Sequence, residues 1–142
     1  MDILAPVSSI MTTDLLTVNP KDNLKVVKEI FDENRIHHLP VVRHKKIVGL
    51  ISKTDLLHFL KGANPEKEKV RNERLLEKFV AEDIMTKGLA KLESDDRINV
   101  ALEVFKENLF HAIPVVDGEE LKGIVTTYDV IKALSEEKVK II

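Results

Sequence analysis

The chain contains 142 residues, of which 44% are hydrophobic, and it carries a formal net charge of −2 at pH 7. Its length suits one ordinary domain or two very small ones. No apolar run reaches the roughly 18 residues that a membrane span needs, and the N-terminus does not resemble a signal peptide. The lack of cysteine excludes disulfides and thiolate metal sites and predicts a cytoplasmic protein. The slight acidity argues against nucleic acid as a partner.

The sequence contains an internal duplication with an offset of 74 residues. This shift places residues 10–12, Ile-Met-Thr, on residues 84–86, and it places Asp55 on Asp129, without a gap. Over residues 10–60, 17 of 51 positions are identical to their counterparts, whereas chance would give about three. The chain is therefore predicted to contain two copies of one structural unit.

Each copy shows the same order of predicted elements. A short extended segment at residues 16–18 or 90–92 leads through a turn to a helix with one apolar face. The apolar residues of this face are Leu24, Val27, Ile30 and Phe31 in the first copy, and Ile98, Ala101, Val104 and Phe105 in the second. Two strands joined by a polar turn follow, at residues 38–42 and 47–52 in the first copy, and a final helix begins near Asp55. The order predicts a β-α-β-β-α unit.

The two predicted units are too small to be stable separately. A unit of this size buries only about 60% of its unfolded surface, and its strands carry apolar residues on both faces, as in sheets covered on two sides. We therefore expect an α/β (α+β) fold in which residues 7–61 and 80–135 pack sheet to sheet about a pseudo-two-fold axis. The charged connector at residues 62–79 is predicted to form a turn at 62–65 and then a helix. The apolar residues that would dock this helix are Val70, Leu75, Leu76 and Phe79.

Several positions in this framework have simple structural interpretations. Asp22 is a candidate N-cap of the first predicted helix. Gly49 and Gly123 lie in the second strand of each copy and allow close backbone approach, either to the neighbouring repeat or to a ligand. Met11 and Met85 are interpreted as packing residues.

The ordered motif IMTxxLLTVxP, HxLPVV and GLISxxD, with its second copy, resembles the CBS domain, named for cystathionine β-synthase. Two such domains in tandem form a Bateman module, and the resemblance covers nearly the whole chain outside the connector. It implies a regulatory module that binds an adenosine compound, such as AMP, ADP, ATP, S-adenosylmethionine or NAD, in clefts between the two repeats. It also implies a homodimer that signals to a protein partner, which the sequence does not identify.

The resemblance further implies which side chains contact the ligand. Asp55 and Asp129 would accept hydrogen bonds from the ribose hydroxyls, and Ser52 and Thr126, three residues earlier, would contact phosphate. Additional contacts are implied for the residue before each Asp, for histidines next to the Pro-containing strand, and for an apolar slot that holds the base. These residues are Thr54, Tyr128, His37, His38, His111, Leu15, Leu16, Leu89 and Ala90.

The chemistry of these residues leaves alternatives open. A carboxylate can accept hydrogen bonds from both ribose hydroxyls, but an Asp at this position can also simply cap a helix. Ser52 and Thr126 could bind phosphate beside a helix N-terminus or only support the turn. Lys53 has Thr127 as its counterpart in the second copy, so we expect polyphosphates to prefer the Asp55 site.

An enzyme is not predicted, because the sequence contains no P-loop, no G-x-S-x-G motif and no metal-ligand set. His37 and His38 are neighbours on a strand, so their side chains point to opposite faces and cannot share a metal ion. We accordingly predict no catalytic residue, no metal and no required cofactor. Two functions remain: a sensor of adenosine nucleotides, or a dimerisation scaffold with vestigial ligand sites. The motif residues retained in both copies favour the sensor.

Overall fold

The computed structural model describes residues 1–61 and 65–137, apart from the side chains of residues 65–67. Backbone contacts divide the chain into two compact units. One, here called the Asp55 unit, spans Leu16–Leu89; the other, the Asp129 unit, combines Met1–Leu15 with the chain from Ala90 onward. The first residues of the chain therefore belong with the second sequence repeat, and the residues that open the second repeat belong with the first.

The Asp55 unit contains the first predicted helix and strand pair together with the connector. Its elements are α1 (Leu24–Glu33), β1 (His38–Arg43), β2 (Lys46–Ser52), α2 (Lys53–Leu60), α3 (Pro65–Lys78) and α4 (Ala81–Ile84). Strands β1 and β2 are antiparallel, with His38 opposite Ser52. The extended segment predicted at residues 16–18 contributes a single parallel bridge, between Val18 and Val41.

The core of the Asp55 unit is formed where α1 packs on the strand pair. Its buried residues include Leu24, Val27 and Phe31 from α1 and Leu39, Val41 and Ile51 from the strands. Helix α3 docks on this core through Leu76, with Leu75 and Phe79 beside it. Val70 is 56% exposed, so its predicted docking role was wrong. The predicted turn covers residues 62–65, of which residues 62–64 lie outside the described residues.

The Asp129 unit repeats this arrangement with a short strand in place of the single bridge. Its elements are a 3₁₀ turn (Val7–Ser9), β3 (Leu92–Glu93), α5 (Ile98–Lys106), β4 (Ala112–Asp117), β5 (Glu120–Thr126) and α6 (Thr127–Ser135). Strand β3 is parallel to β4, and β4 is antiparallel to β5 with Ala112 opposite Thr126, the same register as in the first copy. Val7 is completely buried among Leu92, Ala101 and Val125, which explains why the N-terminal segment belongs to this unit.

The predicted fold class, a mixture of helices and strands in two repeated units, is confirmed by this order of elements. Each unit contains a helix, an antiparallel strand pair and a second helix in the predicted sequence. Within the described ranges, none of the helices combines the length and the hydropathy required to cross a lipid bilayer.

The N-cap of α1 differs by one residue from the prediction. Asn23 is the cap, and its Oδ1 accepts a hydrogen bond from the Val26 amide at 3.1 Å. Asp22 instead accepts a hydrogen bond from the Asn19 amide at 2.8 Å, which closes the preceding turn. Asn and Asp are equally good N-caps, so their order in the sequence did not distinguish between them.

Candidate functional site

The motif around Asp55 lies where strand β2 ends and helix α2 begins. Ser52 is the N-cap of α2, and its Oγ accepts a hydrogen bond from the Asp55 amide at 3.0 Å. In return, Asp55 Oδ2 accepts a hydrogen bond from the Ser52 amide at 3.3 Å. This reciprocal pair is a capping box, which satisfies two backbone donors at the start of the helix. The capping interpretation of Asp55 is thus correct, but it uses only one carboxylate oxygen.

Two polar atoms of this motif remain available. Within the part of the chain that the structure describes, Asp55 Oδ1 accepts no hydrogen bond and the Ser52 hydroxyl donates none. The Asp55 side chain is exposed and Ser52 is half-buried. An ionised carboxylate oxygen can accept from a hydroxyl, and a serine hydroxyl can donate to a phosphate oxygen. The motif therefore offers an acceptor and a donor three residues apart.

Backbone pairing brings further candidates to the same place. The Lys53 amide donates to the His37 carbonyl oxygen at 2.8 Å, and His38 lies opposite Ser52 in the β1–β2 pairing. Lys53 is half-buried, while His37 and Thr54 are exposed. The structure thus assembles six predicted residues, 37–38 and 52–55, around the N-terminus of α2.

The equivalent motif around Asp129 has the same capping box but more hydrogen bonds. Asp129 Oδ2 accepts from the Thr126 amide at 2.9 Å, and the Asp129 amide donates to Thr126 Oγ1 at 3.1 Å. The Thr126 hydroxyl also donates to Oδ2 at 3.0 Å. In addition, the Thr12 hydroxyl donates to Oδ1 at 3.0 Å. Asp129 is only 8% exposed, and both of its carboxylate oxygens are engaged within the protein.

Thr12 is a residue that the sequence analysis did not identify. It joins β5 through two backbone hydrogen bonds with Ile124, at 2.8 and 2.9 Å, and this fixes its hydroxyl beside Asp129. Thr86, its counterpart, forms the same pair of bonds with Leu50, at 2.8 and 3.1 Å. The Thr86 side chain is exposed, and its hydroxyl has no hydrogen-bond partner among the described residues. The only sequence signal for Thr12 was the duplicated Ile-Met-Thr triplet.

The two strand glycines make room for this triplet. A methyl group placed at Gly123 would lie 2.9 Å from the Thr12 carbonyl oxygen and 3.0 Å from Met11 Cγ. A methyl group at Gly49 would lie 2.7 Å from Met85 Cγ and 2.9 Å from Met85 Cβ. The glycines were expected to allow close approach either to the neighbouring repeat or to a ligand. The structure shows close approach by another segment of the chain. The packing role of the methionines is confirmed by the same contacts.

The remaining predicted residues are distributed between the units. His111 is exposed, and its carbonyl oxygen accepts from the Thr127 amide at 3.1 Å, as His37 does from Lys53. Tyr128 is 67% exposed. For the base slot, Leu16 and Leu89 belong to the Asp55 unit, and Leu15 and Ala90 to the Asp129 unit. Their role in holding a base stays a prediction. No group of three His, Asp or Glu residues in the described ranges could hold a metal ion.

Comparison with known protein families identifies the repeat. The family model of the CBS domain matches residues 7–62 and, a second time, residues 80–136. The chain belongs to the CBS domain family. The resemblance drawn from the duplicated motif is thereby confirmed, and the two CBS matches coincide with the two copies of the sequence repeat.

Solved and curated proteins agree with this CBS assignment. MJ1225 of Methanocaldococcus jannaschii is 30% identical over 125 residues, which are 86% of this chain and 44% of that protein. Its crystal structure matches with a TM-score of 0.80 at 28% identity, covering 94% of this chain and 49% of the other. CBSX2, solved in complex with AMP, matches with a TM-score of 0.76 at 25% identity, covering 93% of this chain and 97% of CBSX2.

Enzymes are also among the relatives of this CBS pair. The inosine-5′-monophosphate dehydrogenase of Thermoplasma acidophilum is 26% identical over 124 residues, which are 87% of this chain but 22% of that enzyme. The chain spans less than half the length of the curated relatives that it matches.

Proposed function

We propose that this CBS pair is a regulatory module that binds an adenosine nucleotide through Asp55 and Ser52 and transmits its occupancy to a protein partner. The observation that carries the proposal is the unused hydrogen-bonding capacity of the Asp55 motif, an exposed Oδ1 and a hydroxyl proton beside a helix N-terminus. The complex of the related CBSX2 with AMP supports the choice of ligand.

The ribose, the phosphate and the base of a nucleotide each have candidate contact residues in or near this motif. The ribose diol supplies two hydroxyl donors, and Asp55 Oδ1 is a charged acceptor for them. Phosphate oxygens are suited to the Ser52 hydroxyl, the Lys53 ammonium and the positive end of α2. His38 begins the neighbouring strand and His37 directly precedes it, and both are further candidates for phosphate contact. Leu16, which is 43% exposed, and Leu89 are the candidates in this unit for contact with the base.

We propose a class of ligand rather than one individual ligand. AMP, ADP, ATP and S-adenosyl compounds share the adenosine that the motif would bind, and Lys53 favours those with more phosphate charge. We propose a regulatory rather than a catalytic role, in the cytoplasm, with no required cofactor or metal. The partner is a protein whose identity neither the sequence nor the fold specifies.

Thermal unfolding with each adenosine compound tests this function. A ligand present at 100 times its dissociation constant stabilises a protein by about 2.7 kcal/mol. We expect at least one compound to raise the melting temperature of the wild type. The Asp55→Asn variant should lose this rise, because its amide nitrogen cannot accept from the ribose while its amide oxygen can still cap the helix.

Asp83→Asn is the matched control for that experiment. Asp83 also accepts a hydrogen bond at the start of a helix, from the Val80 amide at 2.8 Å, but it lies outside the motif. Its variant should keep the ligand-induced rise. If no adenosine compound shifts the melting temperature of the wild type, the proposal fails, and a scaffold with vestigial sites becomes the better description.

We also propose that the chain forms a homodimer through helix α6. Three apolar side chains of this helix, Tyr128, Ile131 and Leu134, are between 52% and 67% exposed and recur at helical spacing. Leu57, the counterpart of Ile131 in α2, is 59% exposed. Such a stripe on a surface helix is typical of a protein interface.

Sedimentation equilibrium tests the proposed homodimer. We expect a dimer for the wild type and a monomer for Ile131→Glu, and a monomeric wild type would contradict the proposal.

A further inference from the structure

We infer that the two copies of the motif differ in function: the Asp55 motif takes the nucleotide, and the Thr12 hydroxyl keeps the Asp129 motif closed to ribose. This inference rests on the proposed nucleotide binding and specifies which of the two sites is used. It depends on hydrogen bonds that the two copies do not share.

The first difference concerns the carboxylate oxygens. A ribose diol binds by donating its hydroxyl protons to acceptor sites that are accessible and unused, and an ionised carboxylate has about four such sites. Both oxygens of Asp129 accept hydrogen bonds from the protein, Oδ1 from Thr12 and Oδ2 from Thr126. Asp55 Oδ2 is engaged in the capping box, but Oδ1 has no donor within the described residues. Asp129, which is 8% exposed, thus has three of its acceptor sites used, whereas the exposed Asp55 has one used, and the first copy presents the better acceptor to a ribose.

The second difference concerns the hydroxyl proton of the N-cap residue. A hydroxyl group has one proton to donate. Thr126 donates this proton to Asp129 Oδ2 at 3.0 Å, so it is not available for a phosphate oxygen. Ser52 accepts from the Asp55 amide but donates to no other group in the described ranges. The donor for phosphate is thus also confined to the first copy.

The third difference explains how one copy became closed. Thr12 and Thr86 occupy equivalent backbone positions, each bridged by two hydrogen bonds to the adjacent strand. Both side chains are exposed, but the Thr12 hydroxyl donates to Asp129, whereas the Thr86 hydroxyl has no partner among the described residues. Thr12 thereby joins the N-terminal segment to α6 and acts on ligand binding by occupying Asp129 Oδ1. It is a residue that determines which site is open.

Charge acts in the same direction as these hydrogen bonds. Lys53 follows the N-cap of α2, while the uncharged Thr127 follows the N-cap of α6. A phosphate group therefore meets a cation in the first copy alone at this position. Opening the Asp129 motif would provide a ribose acceptor without this cation, so a newly opened site should bind AMP more weakly than the Asp55 site.

Calorimetric titration with AMP, performed on the full chain, tests the inference through its stoichiometry. We expect one AMP per wild-type chain, and at least a tenfold weaker affinity for Asp55→Asn. In Thr12→Val, an isosteric change that removes the hydroxyl, Asp129 Oδ1 loses its donor, and we expect a second, weaker site. Thr86→Val is the matched control, because the Thr86 hydroxyl has no partner, and it should remain at one site.

The outcomes separate this inference from the proposed function. Two sites in the wild type, or binding that survives Asp55→Asn and is lost in Asp129→Asn, would overturn the assignment while leaving nucleotide binding established. One site in Thr12→Val would show that Thr12 does not close the Asp129 motif. If neither AMP nor any other adenosine compound gives detectable heat of binding or thermal stabilisation with the wild type, the proposed function itself is overturned.

Discussion

The Asp55 and Asp129 units are two copies of one fold, but their equivalent aspartates differ in exposure and hydrogen bonding. Both pair their strands in the same register, and both close a capping box at the start of the following helix. Asp129 is 8% exposed and has donors on both oxygens, whereas Asp55 is exposed with one oxygen unused within the described residues. A duplicated motif therefore preserves its backbone geometry while its side chains take on different roles.

The capping role of Asp55 is compatible with the proposed ligand binding. The capping box needs one oxygen of the carboxylate. What determines whether the second oxygen can serve a ligand is the neighbouring segment, which carries Thr12 in one unit and Thr86 in the other. Since these residues are identical, the difference lies in hydrogen bonding rather than in residue type.

Replacing each aspartate by alanine should produce the largest difference between the units. We expect Asp129→Ala to lower the free energy of unfolding by about 3 kcal/mol, because a hydrogen bond to a charged group contributes roughly 1.5–3 kcal/mol and several are lost. Asp55→Ala removes only the exposed capping box and should cost about 1 kcal/mol. Urea denaturation measures both values, and equal losses would contradict the larger structural role of Asp129.

The strand glycines should rank next. Gly123→Ala should cost about 2 kcal/mol, since the new methyl group would press on the Thr12 carbonyl oxygen, a backbone atom that cannot move alone. Gly49→Ala should cost about as much, because its new methyl group would lie 2.9 Å from Met85 Cβ, an atom that the backbone holds in place. Urea denaturation measures both losses, and a loss below about 0.5 kcal/mol for either variant would contradict the close packing of that glycine.

Removing the threonine hydroxyls isolates the difference between the neighbouring segments. Thr12→Val should lower the free energy of unfolding by about 1.5 kcal/mol, because it leaves a buried carboxylate oxygen without its donor. Thr86→Val should change it by less than about 0.5 kcal/mol, as for other surface substitutions. Equal melting temperatures for the two variants would be evidence against the Thr12–Asp129 hydrogen bond in solution.

The helix N-caps should give the smallest difference. Asn23→Ala should cost about 1 kcal/mol, because its side chain accepts from the Val26 amide. Arg97, the corresponding N-cap of α5, makes no side-chain capping bond, so Arg97→Ala should change stability by less than about 0.5 kcal/mol. Thermal unfolding resolves this pair, and a comparable loss for Arg97→Ala would indicate that Arg97 contributes in another way.

Much of the fold could be predicted because the same spacing of apolar and polar residues occurs in both copies of the repeat. The apolar stripe of α1, the strand pairs and the position of Asp55 at a helix N-terminus all follow from residue spacing that occurs twice. Local choices were less certain: Asp22 and Asn23 are both good N-caps, and Val70 lies on the exposed side of the connector helix.

Two features could not be predicted from the sequence. A repeat alignment assigns residues 10–12 to the first copy, whereas burial of Val7 and the bridge from Thr12 to β5 place them with the second. The hydrogen bond from Thr12 to Asp129 spans 117 positions, and an identical threonine and aspartate exist in the other copy. Only the three-dimensional arrangement shows which pair is in contact.

A crystal structure of the protein grown with AMP would test the central claim most directly. We expect one nucleotide per chain, with a ribose hydroxyl within hydrogen-bonding distance of Asp55 Oδ1 and with the Thr12 hydroxyl still donating to Asp129. A nucleotide whose ribose is bound by Asp129, with Asp55 left in solvent, would contradict it.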